Sequence, residues 1–205
     1  MTFQNSQTCI NLMRAFAGES QARNRYTLAA KAAREQQYPV LEQVFLFTAQ
    51  QELTHAEQFF SCLQKHGVTN VEIQGGYPVD PVKDLQALLD TARQNELEEF
   101  DPVYPEFARI AASEGYEREA FLFRSIAAIE RSHADRFAMF AKLMLEERLF
   151  SGEENGAWLC LHCGHIHEGS GAPTHCPVCG AVQGYFIRQS CAPYTCAGGE
   201  NVCMG

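Results

Sequence analysis

Positive charge is scarce in this 205-residue chain: 16 Lys and Arg stand against 25 Asp and Glu, for a formal net charge of −9. That balance argues against a nucleic-acid surface, and the lack of any Lys/Arg cluster argues against an electrostatic membrane patch. Long apolar runs are missing as well, so no segment reads as a bilayer span. Residues 1–20 show no basic stretch followed by an apolar one, so no export signal is visible and a cytoplasmic protein is expected. Cysteine is nearly absent from the first 159 residues, where only Cys9 and Cys62 occur, while seven of the nine cysteines follow. In a chain without a visible export signal that crowding points to metal or redox work ahead of disulfides. The remaining composition, 46% apolar and 20% charged, allows one sizeable bundle plus a small appended unit.

One stretch occurs twice. Ala49 to Phe59 reads AQQELTHAEQF and Ala127 to Phe137 reads AAIERSHADRF, so Glu52-x-x-His55 and Glu130-x-x-His133 fall in step. On a helix, residues i and i+3 lie on one face, so each copy aims a carboxylate and an imidazole at one point. A single Glu-x-x-His is ordinarily a chance pair on a solvated face. Here both pairs stand on apolar stripes, Leu41, Phe45, Thr48, Phe59 and Cys62 around the first, Phe123, Ile126, Phe137, Phe140 and Met144 around the second. A carboxylate turned into a core without a partner is strongly disfavoured, and a metal ion meets that need.

The helical periods predict four long helices. Helix 1 runs over Gln4 to Gln37, with Glu19 and Tyr26 on its inward face beside Leu12, Phe16, Ala30 and Ala33, and Arg23 close enough to the stripe to be an inner partner. Pro39 starts helix 2, which reaches about His66 and stops at Gly67. From there to Pro78 the period is lost, a crossover long enough to let helix 3 run parallel to helix 2. Asp80-Pro81 reads as the cap and first position of helix 3, whose stripe carries Glu96 and Glu99 after Leu85, Leu88, Leu89 and Ala92, with an irregularity expected at Pro102 and Pro105. Gly115 precedes helix 4, about Tyr116 to Phe150. Glu52 and Glu130, His55 and His133, Phe59 and Phe137, Tyr26 and Tyr104, and Tyr38 and Tyr116 are all separated by 78 positions, so helices 3 and 4 read as a copy of helices 1 and 2. The copy fails at Glu19, whose counterpart is Leu97, while acids stand at Glu96 and Glu99.

The inward ligands are therefore Glu19, Glu52, His55, Glu96, Glu99, Glu130 and His133. One Glu from each of two helices plus a Glu-x-x-His from each of the others is the general pattern of a carboxylate-bridged di-iron or di-manganese site in a ferritin-like bundle. By symmetry Glu52 and Glu130 are the candidates to bridge. Tyr26 and Tyr104 are placed to hydrogen-bond the carboxylates and read equally as core tyrosines. After a linker over 151–156, Cys160-x-x-Cys163-Gly164 and Cys176-x-x-Cys179-Gly180 supply four thiolates for one tetrahedral ion, zinc or iron. So small a module has little core and needs the ion to fold.

These residues carry a family resemblance. Phe16-Ala17-Gly18-Glu19-Ser20, Gln51-Glu52-Leu53-Thr54-His55-Ala56, Tyr104-Pro105-x-Phe107-Ala108, Glu114-Gly115-Tyr116, Glu130-x-x-His133 and the terminal Cys-x-x-Cys-Gly pair together resemble a rubrerythrin up to about Arg188. The fold expected is an all-α, ferritin-like four-helix bundle over residues 1–150, with a long crossover between helices 2 and 3. Residues 151–205 would hold the linker, a small β-rich rubredoxin-like domain at about 157–188, and a tail with Cys191, Cys196 and Cys203 that has no counterpart in the resemblance. The resemblance implies a non-haem di-iron peroxidase that reduces hydrogen peroxide to water. Its electrons would pass through a one-iron site at Cys160, Cys163, Cys176 and Cys179 from an NAD(P)H-dependent reductase or a rubredoxin-type donor. It also implies a homodimer in which one subunit's one-iron module faces the other's di-iron site. In that family one iron moves between the imidazole matched by His55 and the carboxylate matched by Glu99, which makes Tyr26, Tyr104, Glu99 and His55 the expected catalytic residues. The alternative from another class is a ferroxidase or iron-handling protein on the same bundle. A zinc ribbon that is purely structural or binds a partner is the third reading for residues 157–188.

Overall fold

The computed structural model describes residues 2–80, 84–152 and 155–193. Ser6 opens the bundle by capping α1 (Gln7–Glu35), its Oγ accepting from the Cys9 N–H at 3.1 Å. Pro39, at the first position where its missing N–H is no loss, starts α2 (Pro39–Lys65). The expected crossover follows. Asp84 then caps α3 (Leu85–Glu98) by accepting from the N–H groups of Gln86 and Ala87. The cap is thus Asp84 and not Asp80, whose carboxylate is engaged by Arg25; Pro81 lies outside the described residues.

Helix 3 is broken where its prolines predicted. A π-helical segment (Glu99–Val103), with Asp101 in an extended conformation, joins α3 to α4 (Tyr104–Ser113). The last helix, α5 (Glu117–Leu145), ends five residues before the predicted Phe150, where Glu147 turns left-handed at φ 54°. Helices α1 and α2 pack as one hairpin and α3 and α4 pack on α5 as the other, in keeping with the repeat. The two apolar clusters formed around them lie on either side of the acidic layer, one containing Tyr26, Phe45 and Phe137, the other Phe59, Tyr104 and Phe123. Cys9 and Cys62 are packed in the second cluster.

The small module is a three-stranded antiparallel sheet in the order β2-β1-β3: β1 (Ala157–Cys160), β2 (Ile166–Glu168) and β3 (Phe186–Arg188). Its core is built on Trp158, which is fully buried with its indole N–H donating to the Gly169 carbonyl at 3.1 Å. Ser151 and Gly152, read from sequence as linker, instead pair with Gly171 and Ser170 and so begin the module. The module rests on the turn between α1 and α2. Gly184 approaches the Gln37 carbonyl and Pro39 too closely for any side chain. Among the described residues no helix is long and apolar enough to cross a membrane.

Candidate metal centres

Midway along the bundle four carboxylates and two imidazoles meet with no solvent exposure to speak of. Glu19, Glu52, Glu130 and His133 are 0% exposed, Glu96 1% and His55 6%. They form two sets: Glu19, Glu52, His55 and Glu130, and Glu52, Glu96, Glu130 and His133. Glu52 and Glu130 belong to both, and they divide their oxygens between them. His55 Nδ1 lies 3.0 Å from Glu130 Oε1 and 3.3 Å from Glu52 Oε2, while His133 Nδ1 lies 2.8 Å from Glu130 Oε2 and 2.9 Å from Glu52 Oε1. The outer carboxylates complete each set at 3.6 Å, Glu19 with His55 and Glu96 with His133.

These short distances are not hydrogen bonds. Both Nδ1 atoms, both oxygens of Glu52 and of Glu130, Glu19 Oε2 and Glu96 Oε2 have no partner in hydrogen-bonding geometry. Buried acceptors left this way are strongly unfavourable unless something else sits among them. Donors about 2.1 Å from a common centre and at right angles stand about 3.0 Å apart, which is the spacing found here. The residues fit a pair of hard divalent ions, with oxygen and imidazole donors suited to iron or manganese.

Electrostatics point the same way. Burial raises the carboxyl of Glu96, aided by neighbouring Glu52, to about 8. Burial likewise lifts Glu19 and Glu99 well above the carboxylate range. Burial would lower His133, but Glu130, Glu52 and Glu96 outweigh it and raise it to about 11; His55 is raised by Glu130, Glu19 and Glu52 in the same way. Burial also pushes Glu52 upward, yet His133 and His55 leave it below the usual range. Without metal the cluster therefore holds protons in the place of cations.

The two tyrosines are not ordinary core residues. Tyr26 donates its hydroxyl to Glu96 and Tyr104 to Glu19, the same contact in each half of the repeat. Glu99 stands apart. It is half-buried at the start of the π-helical segment and belongs to neither set, so the structure brings together six of the seven predicted ligands. Glu98 is exposed and accepts from Gln94. Arg23 is exposed too, and the inner cation is one the sequence reading missed: Arg136, on α5, donates to Thr48 Oγ1 at 2.9 Å and Gln51 Oε1 at 3.0 Å on α2. The available signal was a break in the repeat, since Arg136 answers to Gln58 across the 78-position offset.

In the small module Cys160, Cys163, Cys176 and Cys179 converge. Cys160 Sγ and Cys179 Sγ are 3.9 Å apart, and Cys163 Sγ and Cys176 Sγ 3.6 Å. Those separations are too long for disulfides and bracket the edge of about 3.8 Å expected for a tetrahedron with bonds near 2.3 Å. Gly164 and Gly180, at φ 80° and 73°, turn each knuckle back on its first cysteine, Gly164 N–H donating to the Cys160 carbonyl and Gly180 N–H to that of Cys176. Burial raises the Cys176 thiol, but the N–H groups of Cys179 and Val178 outweigh it and hold it at about 7. Of the tail cysteines, Cys191 is half-buried, while Cys196 and Cys203 lie outside the described residues.

The family model for rubrerythrin matches residues 11–141, and that for the rubrerythrin rubredoxin-like domain matches residues 158–187. The chain belongs to the rubrerythrin family. It is 40% identical to the rubrerythrin of Nitratidesulfovibrio vulgaris over 185 residues, covering 90% of this chain and 95% of that protein. Rubrerythrin-1 of Clostridium acetobutylicum is also 40% identical, over 187 residues and the same shares. Among solved structures, a nigerythrin in a partially reduced state matches with a TM-score of 0.59 at 28% identity over 90% of each chain. A Desulfovibrio desulfuricans bacterioferritin shares the bundle, with a TM-score of 0.63 at 19% identity over 69% of this chain and 82% of that one. With the rubrerythrin family come its di-iron site, met here by the two Glu/His sets, and its rubredoxin-like iron site, met by the four cysteines. The chain is an iron-dependent oxidoreductase of that family.

Proposed function

We propose that this protein reduces hydrogen peroxide to water, receiving electrons singly through iron held by Cys160, Cys163, Cys176 and Cys179. Two ferrous ions held by the Glu/His sets would supply the two electrons that cleavage of the O–O bond requires. The rest falls to side chains. Glu52 and Glu130 are assigned as the shared carboxylates, since each directs one oxygen to either imidazole. His55 with Glu19, and His133 with Glu96, complete the two positions. Tyr104 and Tyr26 hold the outer carboxylates in place through their hydroxyls. Glu99, beside the cluster but in neither set, is the spare carboxylate that can carry a proton or add an oxygen as the charge on the ions rises.

The observation that carries this reading is the presence of a one-electron thiolate site on the same chain as a two-ion carboxylate site. A ferroxidase that passes iron onward needs no such inlet. The module touches the bundle at Pro39, and α2 rises about 20 Å from there to Glu52. Electron transfer within one chain is therefore long, which supports a homodimer in which the module of one subunit serves the site of its partner. On this reading residues 1–150 are the catalytic bundle, and residues 151–205 comprise the electron-transfer module, which Ser151 and Gly152 open and whose centre is at about 157–188, and the tail. The donor is an NAD(P)H-dependent reductase or a rubredoxin-type protein. Steady-state turnover with such a reductase tests the scheme. Peroxide-dependent consumption of NAD(P)H is expected, and Cys160→Ser is expected to stop it; unchanged turnover in that variant contradicts the electron path.

A further inference from the structure

A cleft of about 310 Å³ opens between α1, the π-helical segment and the crossover. Gly18, the neighbour of Glu19, and Tyr104, whose hydroxyl reaches Glu19, form its inner end together with Glu99. The missing side chain at Gly18 leaves that end open, since a Cβ there would already stand 3.7 Å from Glu99 Oε1. The outer rim is crossover chain at Gln74–Pro78, where the half-exposed ring of Tyr77 lies over Gly75. Arg25 ties that rim to α1 through a largely buried ion pair with Asp80 at 3.1 Å.

The volume and the lining bear on the ligand. Liquid water occupies about 30 Å³ per molecule, so the cleft has room for roughly ten waters, far more than an oxidant of two oxygen atoms fills. Val103, Phe107 and the Tyr77 ring give it an apolar wall that hydrogen peroxide does not need. We propose that this cleft is the oxidant-binding site of the di-iron centre and that it admits small alkyl hydroperoxides, with Tyr77 setting the upper size. The alkyl group rests on the apolar wall and the hydroperoxide end faces Glu99 at the inner end. The inference rests on the peroxidase reading. The reaction balances as ROOH plus two electrons and two protons giving ROH and water: the O–O bond breaks, each oxygen gains one proton, and the electrons would come from two ferrous ions held by the Glu/His sets.

The test compares hydrogen peroxide, tert-butyl hydroperoxide and cumene hydroperoxide on the iron-loaded full chain, alongside binding to the redox-inert zinc-loaded chain. tert-Butyl hydroperoxide is expected to be turned over with a kcat/KM within about a hundredfold of hydrogen peroxide, and Tyr77→Ala to raise the cumene-to-tert-butyl ratio about tenfold, the scale of steric discrimination in apolar pockets. In the zinc-loaded protein, tert-butanol, the product alcohol, is expected to shift the Tyr77 and Phe107 ring resonances saturably, and Gly18→Leu to abolish the shift. Reduction of hydrogen peroxide without tert-butyl hydroperoxide, or a tert-butanol titration that leaves both rings unmoved, overturns the cleft assignment while the peroxidase reading stands. Failure with all three oxidants overturns the peroxidase reading itself, and the tert-butanol titration then decides on the cleft alone.

Discussion

His133 on α5 holds its Nδ1 2.9 Å from Glu52 Oε1 on α2, across the bundle. Glu130 Oε1 and His55 Nδ1 repeat that relation in reverse at 3.0 Å. Neither helical hairpin can therefore build a metal position alone, because each histidine works with a carboxylate from the other half of the repeat.

Removing a shared carboxylate should for that reason affect both positions. Glu130→Ala is expected to lower the iron content by two ions per chain and leave only the thiolate-bound iron. Elemental analysis of the purified variant checks this; two tightly bound bundle ions would contradict the role given to Glu130.

Protons and metals compete for the same atoms, which fixes a pH dependence. In the metal-free protein Glu96 is raised to about 8 and His133 to about 11. Both lie above their unfolded values of about 4.3 and 6.5. Each thus contributes stability at low pH that is lost as pH rises, Glu96 between about 4.3 and 8 and His133 between about 6.5 and 11. The melting temperature of the metal-free protein is expected to fall from pH 5 to pH 9, and the metal-loaded protein to lack that slope because ions replace the protons. Calorimetry across the range checks it; a metal-free melting temperature that climbs with pH contradicts it.

The inward-facing acids were legible because helical period is simple: a Glu on an apolar stripe is anomalous wherever it occurs, and Glu-x-x-His occurs twice. The irregularity after α3 was legible from Pro102 and Pro105, but its consequence for Glu99 was not. Glu99 follows Glu96 by one helical turn and feels the charges of Glu19 and Glu96, yet it opens the π-helical segment and shares no ligand set with them. Asp80 and Asp84 look alike as caps, and only the position of Arg25 separates them. Arg136 was not legible because a cation beside a ligand motif reads as surface charge until the helix opposite supplies Thr48 and Gln51.

Arg136 should tune the redox centre. Its guanidinium is partly buried beside the acids Glu96, Glu52 and Glu130, so it disfavours further positive charge there. Arg136→Gln, the residue found at the equivalent position 58, is expected to lower the reduction potential of the di-iron pair by tens of millivolts, equivalent to about 1 kcal/mol. Spectroelectrochemical titration measures the shift, and an unchanged or raised potential contradicts it.

Glu114 should matter for stability alone. Its carboxylate accepts from Gln7 N at 3.0 Å, Thr8 N at 2.8 Å and Thr8 Oγ1 at 2.5 Å, capping α1 from a distant part of the chain. Burial raises its carboxyl, but these donors outweigh it and leave it low. Glu114→Ala is expected to destabilise the fold by about 1–2 kcal/mol at neutral pH. A depressed carboxyl contributes stability above its unfolded pKa that is lost on acidification, so the difference should shrink below about pH 4. Denaturant titrations at pH 7 and pH 3.5 check both statements, and an equal difference at the two pH values contradicts the assignment to the charged form.

The oxidant that the reduced iron pair meets productively decides whether this protein is a peroxidase. Rapid mixing of the fully reduced, metal-quantified protein with hydrogen peroxide and, separately, with dioxygen gives the answer in one spectrum series. Oxidation of the bundle iron is expected to be much faster with peroxide, followed by oxidation of the thiolate-bound iron. Faster oxidation by dioxygen, or bundle iron that stays reduced in peroxide, would contradict it.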